Sequence, residues 1–530
     1  MSGDAHDGAG VSRQTDFVPV RSMVHPNSYF DSVVLMRVAA EVGSRPGVRI
    51  ASLIMGTEAN QQVLAEANLL TDEGRAAGPN DLVIAVDGDD SAVDEALAAA
   101  QDALRDRSAA SGTTGGETAP IRPRTIARAA DGANLALIST PGRYAAAEAM
   151  KALRLGLHVF LFSDNVPLEH EVALKQYARA RGLLVMGPDC GTAILNGAPL
   201  GFANEVRRGR IGLIGASGTG LQQVSSLIDA WGAGVSQVIG VGSRDLYEEV
   251  GAVSMLTALD ALAADPGTDV IVLISKPPAA SVAELVLKRA AGTGKPVVVN
   301  FLGASLERPE GAAEMAVVPT LEEAAKEAVR LASGRQVDTE PVRGVDAADR
   351  MSEVGRGRWL LRALLAGGTF AYEANLLLEP RLGEIAGSVD RYVPGTPPAL
   401  PEQHLVLDLG DDEFTVGRPH PMIDPTARLE FISAAAEDPT TAVILLDVVL
   451  GYGAAPDPAG DLAPAVAEAT GRSHGPVVVA FVVGTAGDSQ GLAAQKQKLA
   501  DAGAVLAESS THAALLVAEL LTTAKLGAAS

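Results

Sequence analysis

The turn Gly215, Ala216, Ser217, Gly218, Thr219, Gly220 follows the strand-like run Arg210-Ile211-Gly212-Leu213-Ile214 and leads into a helical pattern near residue 221. A tight strand-to-helix turn aims several backbone N–H groups at one point, making a cradle for an anion. The helix dipole adds a few tenths to about 1 kcal/mol. An ordinary βα turn with no ligand has the same composition, and on these residues alone both readings stay open. Gly451 and Gly453, in Leu450-Gly451-Tyr452-Gly453, take the matching place after a later strand and could offer a second helix terminus facing the first. Lys276, at a strand's carboxyl end before Pro277 and Pro278, is either an anion ligand or a surface lysine. His420 and Asp424 share a proline-rich loop whose rigidity would preorganise an acid/base or binding pair, with a structural histidine as the alternative. Asp189, Cys190 and Gly191 lie in a loop at a strand's carboxyl end, where open α/β sheets place ligands. A lone cysteine is more often a small buried apolar residue than a nucleophile. No cluster with metal-ligand spacing is visible.

The elements that must position these residues alternate strand and helix. Strands are predicted over 18–24, 48–55 and 81–86, with helices over 31–43, 61–67 and 91–105, giving a small ferredoxin-like unit. Residues 1–16 read as a disordered acidic tail, and 108–120 (SAASGTTGGETAP) as a linker. A parallel βαβαβ unit follows, with strands over 135–139, 159–162 and 183–186 and helices over 143–155 and 169–181. The third unit opens with the Gly215 turn, a second linker spans 333–356, and a fourth unit fills the remainder.

An internal repeat relates the last two units. Residues 262–274 read LAADPGTDVIVLI and residues 435–447 read AAEDPTTAVILLD; later, GKPVVVNFLG answers GPVVVAFVVG. The two blocks lie 31 residues apart in one copy (Asp265 to Pro296) and 38 in the other (Asp438 to Pro476), which one loop insertion explains. Two copies of one flavodoxin-like unit are therefore expected.

Composition narrows the function. In 530 residues, 47% hydrophobic content with only 4% aromatics suits a multidomain α/β protein with small side chains packed on parallel sheets. The net charge of −23 and the absence of a basic block disfavour nucleic acid. One cysteine fits a reducing cytoplasm, and neither an export signal nor a long apolar run is seen, so no membrane is expected.

These residues resemble the succinyl-CoA synthetase superfamily over 18–525. The Gly-Pro-Asp-Cys loop unit and the Ser-Gly-Thr turn unit resemble most of the α subunit, and the fourth unit resembles the β subunit's carboxyl-terminal ligase domain. Within the superfamily the match is to FdrA proteins, through Asn27-Ser28-Tyr29-Phe30-Asp31-Ser32, Met55-Gly56-Thr57-Glu58-Ala59-Asn60 and the stretch from Arg418 to Pro425. The resemblance implies a small α/β domain over 17–107, a Rossmann-like CoA-binding-type domain over 121–205, a flavodoxin-like succinyl-CoA-ligase-type domain over 206–332 and a second over 357–530. It also implies that the Gly215 turn faces phosphate.

Departures from the synthetases are specific. Their phosphorylated histidine stands in a loop that corresponds to 303–319, yet no histidine occurs between His170 and His404. A phosphoryl relay needs a nucleophilic imidazole. Lys276 stands where a carboxylate normally steadies that histidine, no ATP-grasp domain is present, and the glycine cluster 112–116 lacks a preceding strand. CoA and ATP are thus not expected as cofactors, nor is a metal. FdrA membership implies a subunit of a multi-subunit oxamate carbamoyltransferase in purine and allantoin breakdown, with carbamoyl phosphate and oxamate as small anionic substrates. Residual acyl-CoA ligase activity and a non-catalytic scaffold are the alternatives.

Overall fold

The computed structural model describes residues 20–28, 30, 32–110, 125–312, 314–338, 345–355, 357–389, 392–415 and 418–528. The tail expected over 1–16, most of the first linker with its glycine cluster, and Tyr29 and Asp31 lie outside these residues. The chain divides into two units, Met1–Ile121 and Arg122–Ser530. No helix among the described residues is long and apolar enough to cross a membrane.

In the first unit β1 (Arg21–His25), β2 (Val48–Met55) and β3 (Leu82–Gly88) form a sheet of order β1-β3-β2, antiparallel on both sides of β3. Alternation along β3 assigns its two faces. Leu82, Ile84 and Val86 bury against the helices Ser32–Gly43 and Asp90–Ala110, whereas Val83 and Ala85 bury with Leu64 and Leu69.

The second unit begins with β4 (Leu135–Ile138), β5 (His158–Leu161) and β6 (Val185–Met186), the expected parallel βαβαβ arrangement. A hairpin then leaves that sheet. β7 (Thr192–Leu195) and β8 (Ala198–Gly201) turn through Asn196 and Gly197, both at positive φ, as a two-residue hairpin turn requires. The hairpin joins β9 (Arg208–Gly215), β10 (Val235–Gly240), β11 (Val270–Ser275), β12 (Val297–Phe301) and β13 (Met315–Val317) in the order β13-β12-β11-β9-β10-β7-β8. The third sheet holds β14 (Leu360–Leu365), β15 (Ile385–Ala386), β16 (His404–Asp408), β17 (Thr441–Val449), β18 (Val477–Val483) and β19 (Val505–Ala507), ordered β15-β16-β14-β17-β18-β19 and wholly parallel.

The parallel cores β13-β12-β11-β9-β10 and β19-β18-β17-β14-β16 have one topology, so the repeated sequence corresponds to a repeated fold. The shared Asp-Pro-x-Thr motif is a turn that starts the third core strand of each copy. Asp265 accepts from the Gly267 amide at 2.8 Å and the Thr268 hydroxyl at 2.8 Å, and Asp438 from the Thr440 amide at 2.9 Å and the Thr441 hydroxyl at 2.9 Å. The stretch 333–356 is not a plain linker: the helix Val345–Glu353 lies within it.

Both halves share a core. The helix Gly218–Ala230 contributes Leu221, Val224 and Ile228, and the helix Gly368–Leu382 contributes Phe370, Ala374 and Leu378. Beside it the buried Glu373 accepts from the Leu321 amide at 2.9 Å and the Thr511 hydroxyl at 2.9 Å, tying the copies together through groups with no access to water.

Candidate functional site

The strand β9 delivers Gly215 to a turn in which Ser217 caps the helix Gly218–Ala230, its Oγ accepting from the Gly220 amide at 3.0 Å. Ser217 is buried, and its hydroxyl also meets the Thr369 hydroxyl at 2.6 Å. Thr369 lies in the first turn of the helix Gly368–Leu382, which follows β14. A methyl group at Gly367 would lie 2.8 Å from Thr219 Cγ2, so glycine there lets the two helix starts touch. Two positive dipole ends converge on one place. The Ala366 amide, just before the second helix, donates to Asp447 at 2.9 Å. Arg428 Nη2 pairs with that carboxylate at 2.9 Å, so the capping charge is neutralised within the protein.

Three side chains from different strands and loops surround this place. Lys276, exposed at the end of β11, brings Nζ to 3.1 Å from the point where a Gly368 side chain would begin, and Asp408 Oδ2 would collide with the same point. Asp408 ends β16 and takes the Gly410 amide on Oδ1 at 3.0 Å. At Gly410 a methyl group would lie 2.7 Å from His420 Nε2 and 3.2 Å from Asp408 Oδ1, so glycine keeps the space between these groups clear. Burial pushes the Asp408 carboxyl up to about 6, against the pull of Lys276 and the Gly410 amide. Burial likewise lowers His420 to about 4, helped by the charge of Arg428, so the imidazole is neutral near pH 7. The Met422 amide donates to His420 Nδ1 at 3.2 Å, which puts the ring proton on Nε2, the nitrogen facing Gly410. The arrangement offers helix-start amides, a lysine, an imidazole N–H and a titratable carboxyl to a small anion.

The structure thus brings together Gly215, Ser217, Gly218, Thr219, Gly220, Lys276 and His420, and separates other residues expected beside them. The Asp424 amide donates to the His420 carbonyl at 3.1 Å, but its carboxylate does not pair with the imidazole. That carboxylate accepts from the Thr426 amide at 2.9 Å and the Thr426 hydroxyl at 2.6 Å, where it starts the helix Thr426–Glu437. Gly451 and Gly453 do not begin a helix facing the Gly215 turn. A side chain at Gly451 would collide with the Phe202 carbonyl, one at Gly453 with the Phe202 ring, and the Tyr452 amide donates to the Ala203 carbonyl at 3.1 Å, so close packing against the end of β8 and the residues after it explains both glycines. Cys190 is buried, with its thiol pushed up to about 12 by burial and donated to the Gly240 carbonyl at 3.4 Å; it is a packing residue. The Gly191 carbonyl accepts from the Phe202 amide at 2.7 Å and serves the same packing. Asp189 touches solvent, yet the protein crowded around it pushes its carboxyl up to about 6, with Ser243 opposing and Asp164 and Asp412 adding like charge. Those carboxylates would repel an anion at that loop.

The residues that sequence reasoning missed are Gly367, Gly368 and Thr369, together with Asp408 and the Asp447–Arg428 pair. A signal for the first three was present: Ala363 to Thr369 reads ALLAGGT, a strand running into a glycine turn as Gly212 to Thr219 (GLIGASGT) does. Among the described residues no group of three or more His, Cys, Asp or Glu is placed to hold a metal ion.

Comparison with known proteins gives three family matches. Residues 18–120 match a model described as "AllF, heavy metal-associated domain", 206–303 the CoA binding domain and 364–520 CoA-ligase. The CoA-binding match falls on the Gly215-turn unit, and the segment expected to be the CoA-binding-type domain, 121–205, lies outside it. No cysteine occurs in 18–120, so a thiolate metal pair is absent from that domain. YahF of Escherichia coli (strain K12), itself uncharacterized, is 42% identical over 515 residues, 95% of this chain and 98% of that protein. The succinate–CoA ligase subunit alpha-2 of Trichomonas vaginalis is 29% identical over 181 residues, 33% of this chain and 57% of that subunit. A solved acetyl-coenzyme A synthetase 1 from Ca. Korarchaeum cryptofilum, in complex with phosphate and ADP, aligns over 78% of this chain and 88% of that one at 16% identity and a TM-score of 0.31.

Proposed function

The chain belongs to the succinyl-CoA-synthetase-like family, and from that premise we propose that it is an FdrA-type subunit of an oxamate carbamoyltransferase, interconverting oxalurate plus phosphate with oxamate plus carbamoyl phosphate. The observation that carries this reading is the contact between two helix starts, Ser217 to Thr369 at 2.6 Å, with Lys276 beside Gly368. That cradle suits phosphate or the phosphate end of carbamoyl phosphate. Lys276 and the amides stabilise charge on the transferring group, and His420 Nε2–H donates to an oxygen. A histidine relay is not used, since the segment 303–319 contains no histidine. The AllF-type match over 18–120 is in keeping with allantoin breakdown.

CoA fits the Gly215 turn poorly. Ser217 is buried against the Thr369 hydroxyl and Gly367 packs beside Thr219, so the second helix start stands against this turn, where a nucleotide would have to lie. The runner-up is residual acyl-CoA ligase activity, favoured by the CoA-binding and CoA-ligase matches. Co-expression with candidate partner subunits, size exclusion and an oxalurate phosphorolysis assay separates the two. The assembled complex is expected to release oxamate and carbamoyl phosphate, while the purified single chain shows no appreciable turnover. Full-rate turnover by the single chain would refute the subunit model, and acid–CoA ligation by the complex would establish the runner-up.

A further inference from the structure

We propose that Asp408 is the proton-carrying residue of this site: as a carboxylic acid it donates a hydrogen bond to an anion held on the two helix starts, and in phosphorolysis it hands that proton to the leaving nitrogen. The first part depends only on the anion cradle; the second rests on the carbamoyl-transfer reading.

The geometry places Asp408 where an ionised carboxylate would work against the rest of the site. Its Oδ2 lies against Gly368, the first residue of the helix Gly368–Leu382, and Lys276 Nζ approaches the same glycine. Its Oδ1 accepts from the Gly410 amide at 3.0 Å, which leaves Oδ2 as the oxygen on the ligand side. A carboxylate there repels the anion that the amides and the lysine attract, whereas a carboxylic acid supplies one more donor. The charged and titratable groups facing it are Lys276 from the end of β11, Asp411 from its own loop, Asp447 from β17 with its partner Arg428, and His420 from the loop before the helix Thr426–Glu437. Burial pushes Asp447 up as well, but both of its oxygens are taken by the Ala366 amide and Arg428, and burial lowers His420 to about 4, which leaves Asp408, at about 6, as the titratable carboxyl with an oxygen open to the ligand.

In oxalurate phosphorolysis the hydrogenphosphate oxygen forms a C–O bond as the carbamoyl C–N bond breaks. Asp408 gives its proton to the leaving oxamate nitrogen, and the proton of the attacking hydrogenphosphate restores the carboxylic acid. No net proton enters or leaves.

Sulfate, which does not itself titrate between pH 6 and 8, is the probe for the first part. Calorimetric titration of the full chain with sulfate at pH 7, in buffers of different ionisation enthalpy, should show uptake approaching about one proton per sulfate. Affinity should fall by up to about tenfold per pH unit above 7. Asp408→Asn should bind sulfate with no proton uptake and with little dependence on pH, and Asp408→Glu should restore the uptake. Sulfate binding without proton uptake, or equal uptake by Asp408→Asn, overturns the role of Asp408 alone; no sulfate binding by the wild-type chain overturns the cradle and the proposal together. In the assembled complex, Asp408→Asn should lower kcat for phosphorolysis at least tenfold with little change in KM for phosphate, and an unchanged kcat overturns the proton transfer. A wild-type complex that does not phosphorolyse oxalurate overturns the functional reading and that second part, while the sulfate result still decides the first.

Discussion

Lys276 and Gly218 approach the same helix-start cradle from opposite chemical directions, one supplying charge and the other supplying space. Gly218 is half-buried, and a methyl group there would meet only the Thr192 hydroxyl, at 3.6 Å, so a side chain fits without moving the backbone. Gly218→Asp therefore places a carboxylate at the cradle in an otherwise intact fold. Two unit charges 4 Å apart interact by about 4 kcal/mol at an effective dielectric of 20, an upper figure for either variant. Lys276→Ala and Gly218→Asp are each expected to weaken phosphate and carbamoyl phosphate binding tenfold or more by calorimetry, with unchanged circular dichroism. Undiminished affinity in both would move the anion site elsewhere. Gln and Asn at Asp424, by contrast, should leave affinity alone, because its carboxylate is engaged with Thr426.

Among the elements, the Asp-Pro-x-Thr turn shows what a repeat in sequence can and cannot disclose. In the second copy Asp438 also binds Arg362 Nη2 at 2.8 Å, and that guanidinium is 1% exposed. Burial would raise the Asp438 carboxyl, but hydrogen bonds from Thr440, Arg362 and Thr441 outweigh it and hold the group at about 2. With an unfolded value near 3.9, this stabilisation is present above about pH 4 and is lost as pH falls through about 2. Asp438→Ala should thus destabilise by about 2–4 kcal/mol at pH 7, because Arg362 is left buried without its partner. Urea unfolding is the measurement: the gap between wild type and variant should narrow from pH 5 to pH 3, and a constant gap would show that the carboxylate is not responsible. Period and motif made the two parallel sheets readable from the sequence, since buried parallel strands are continuous aliphatic runs. The site was only half readable. Gly215 to Gly220 and Lys276 lie at strand ends that any α/β reading singles out, and the Gly367 turn carried a signal in its likeness to the Gly215 turn, but Asp408 and the touching of the two helix starts depend on a contact between copies that no local pattern encodes. Gly451 misled for the converse reason: its glycine answers to the Phe202 carbonyl, a neighbour remote in sequence.

At the scale of the molecule, the two units carry separate cores. In the first, Leu35, Val38, Val42, Ile84, Val86 and Leu97 pack with one another, while every residue of the helix-start cradle and of the core around it belongs to Arg122–Ser530. Burial of apolar surface is the main stabilising term, at about 25 cal/mol per Å², and nothing in the second unit's three sheets depends on strands from the first. A chain beginning at Arg122 is therefore expected to fold, to unfold within a few degrees of the corresponding transition of the full chain, and to bind phosphate within about twofold of it. Differential scanning calorimetry and titration with phosphate make the test. Loss of phosphate binding in a folded truncation would give the AllF-type domain a direct part in the anion site. Retained binding together with lost association with partner subunits, read by size exclusion after co-expression, would assign that domain to assembly, which is where the subunit reading puts it.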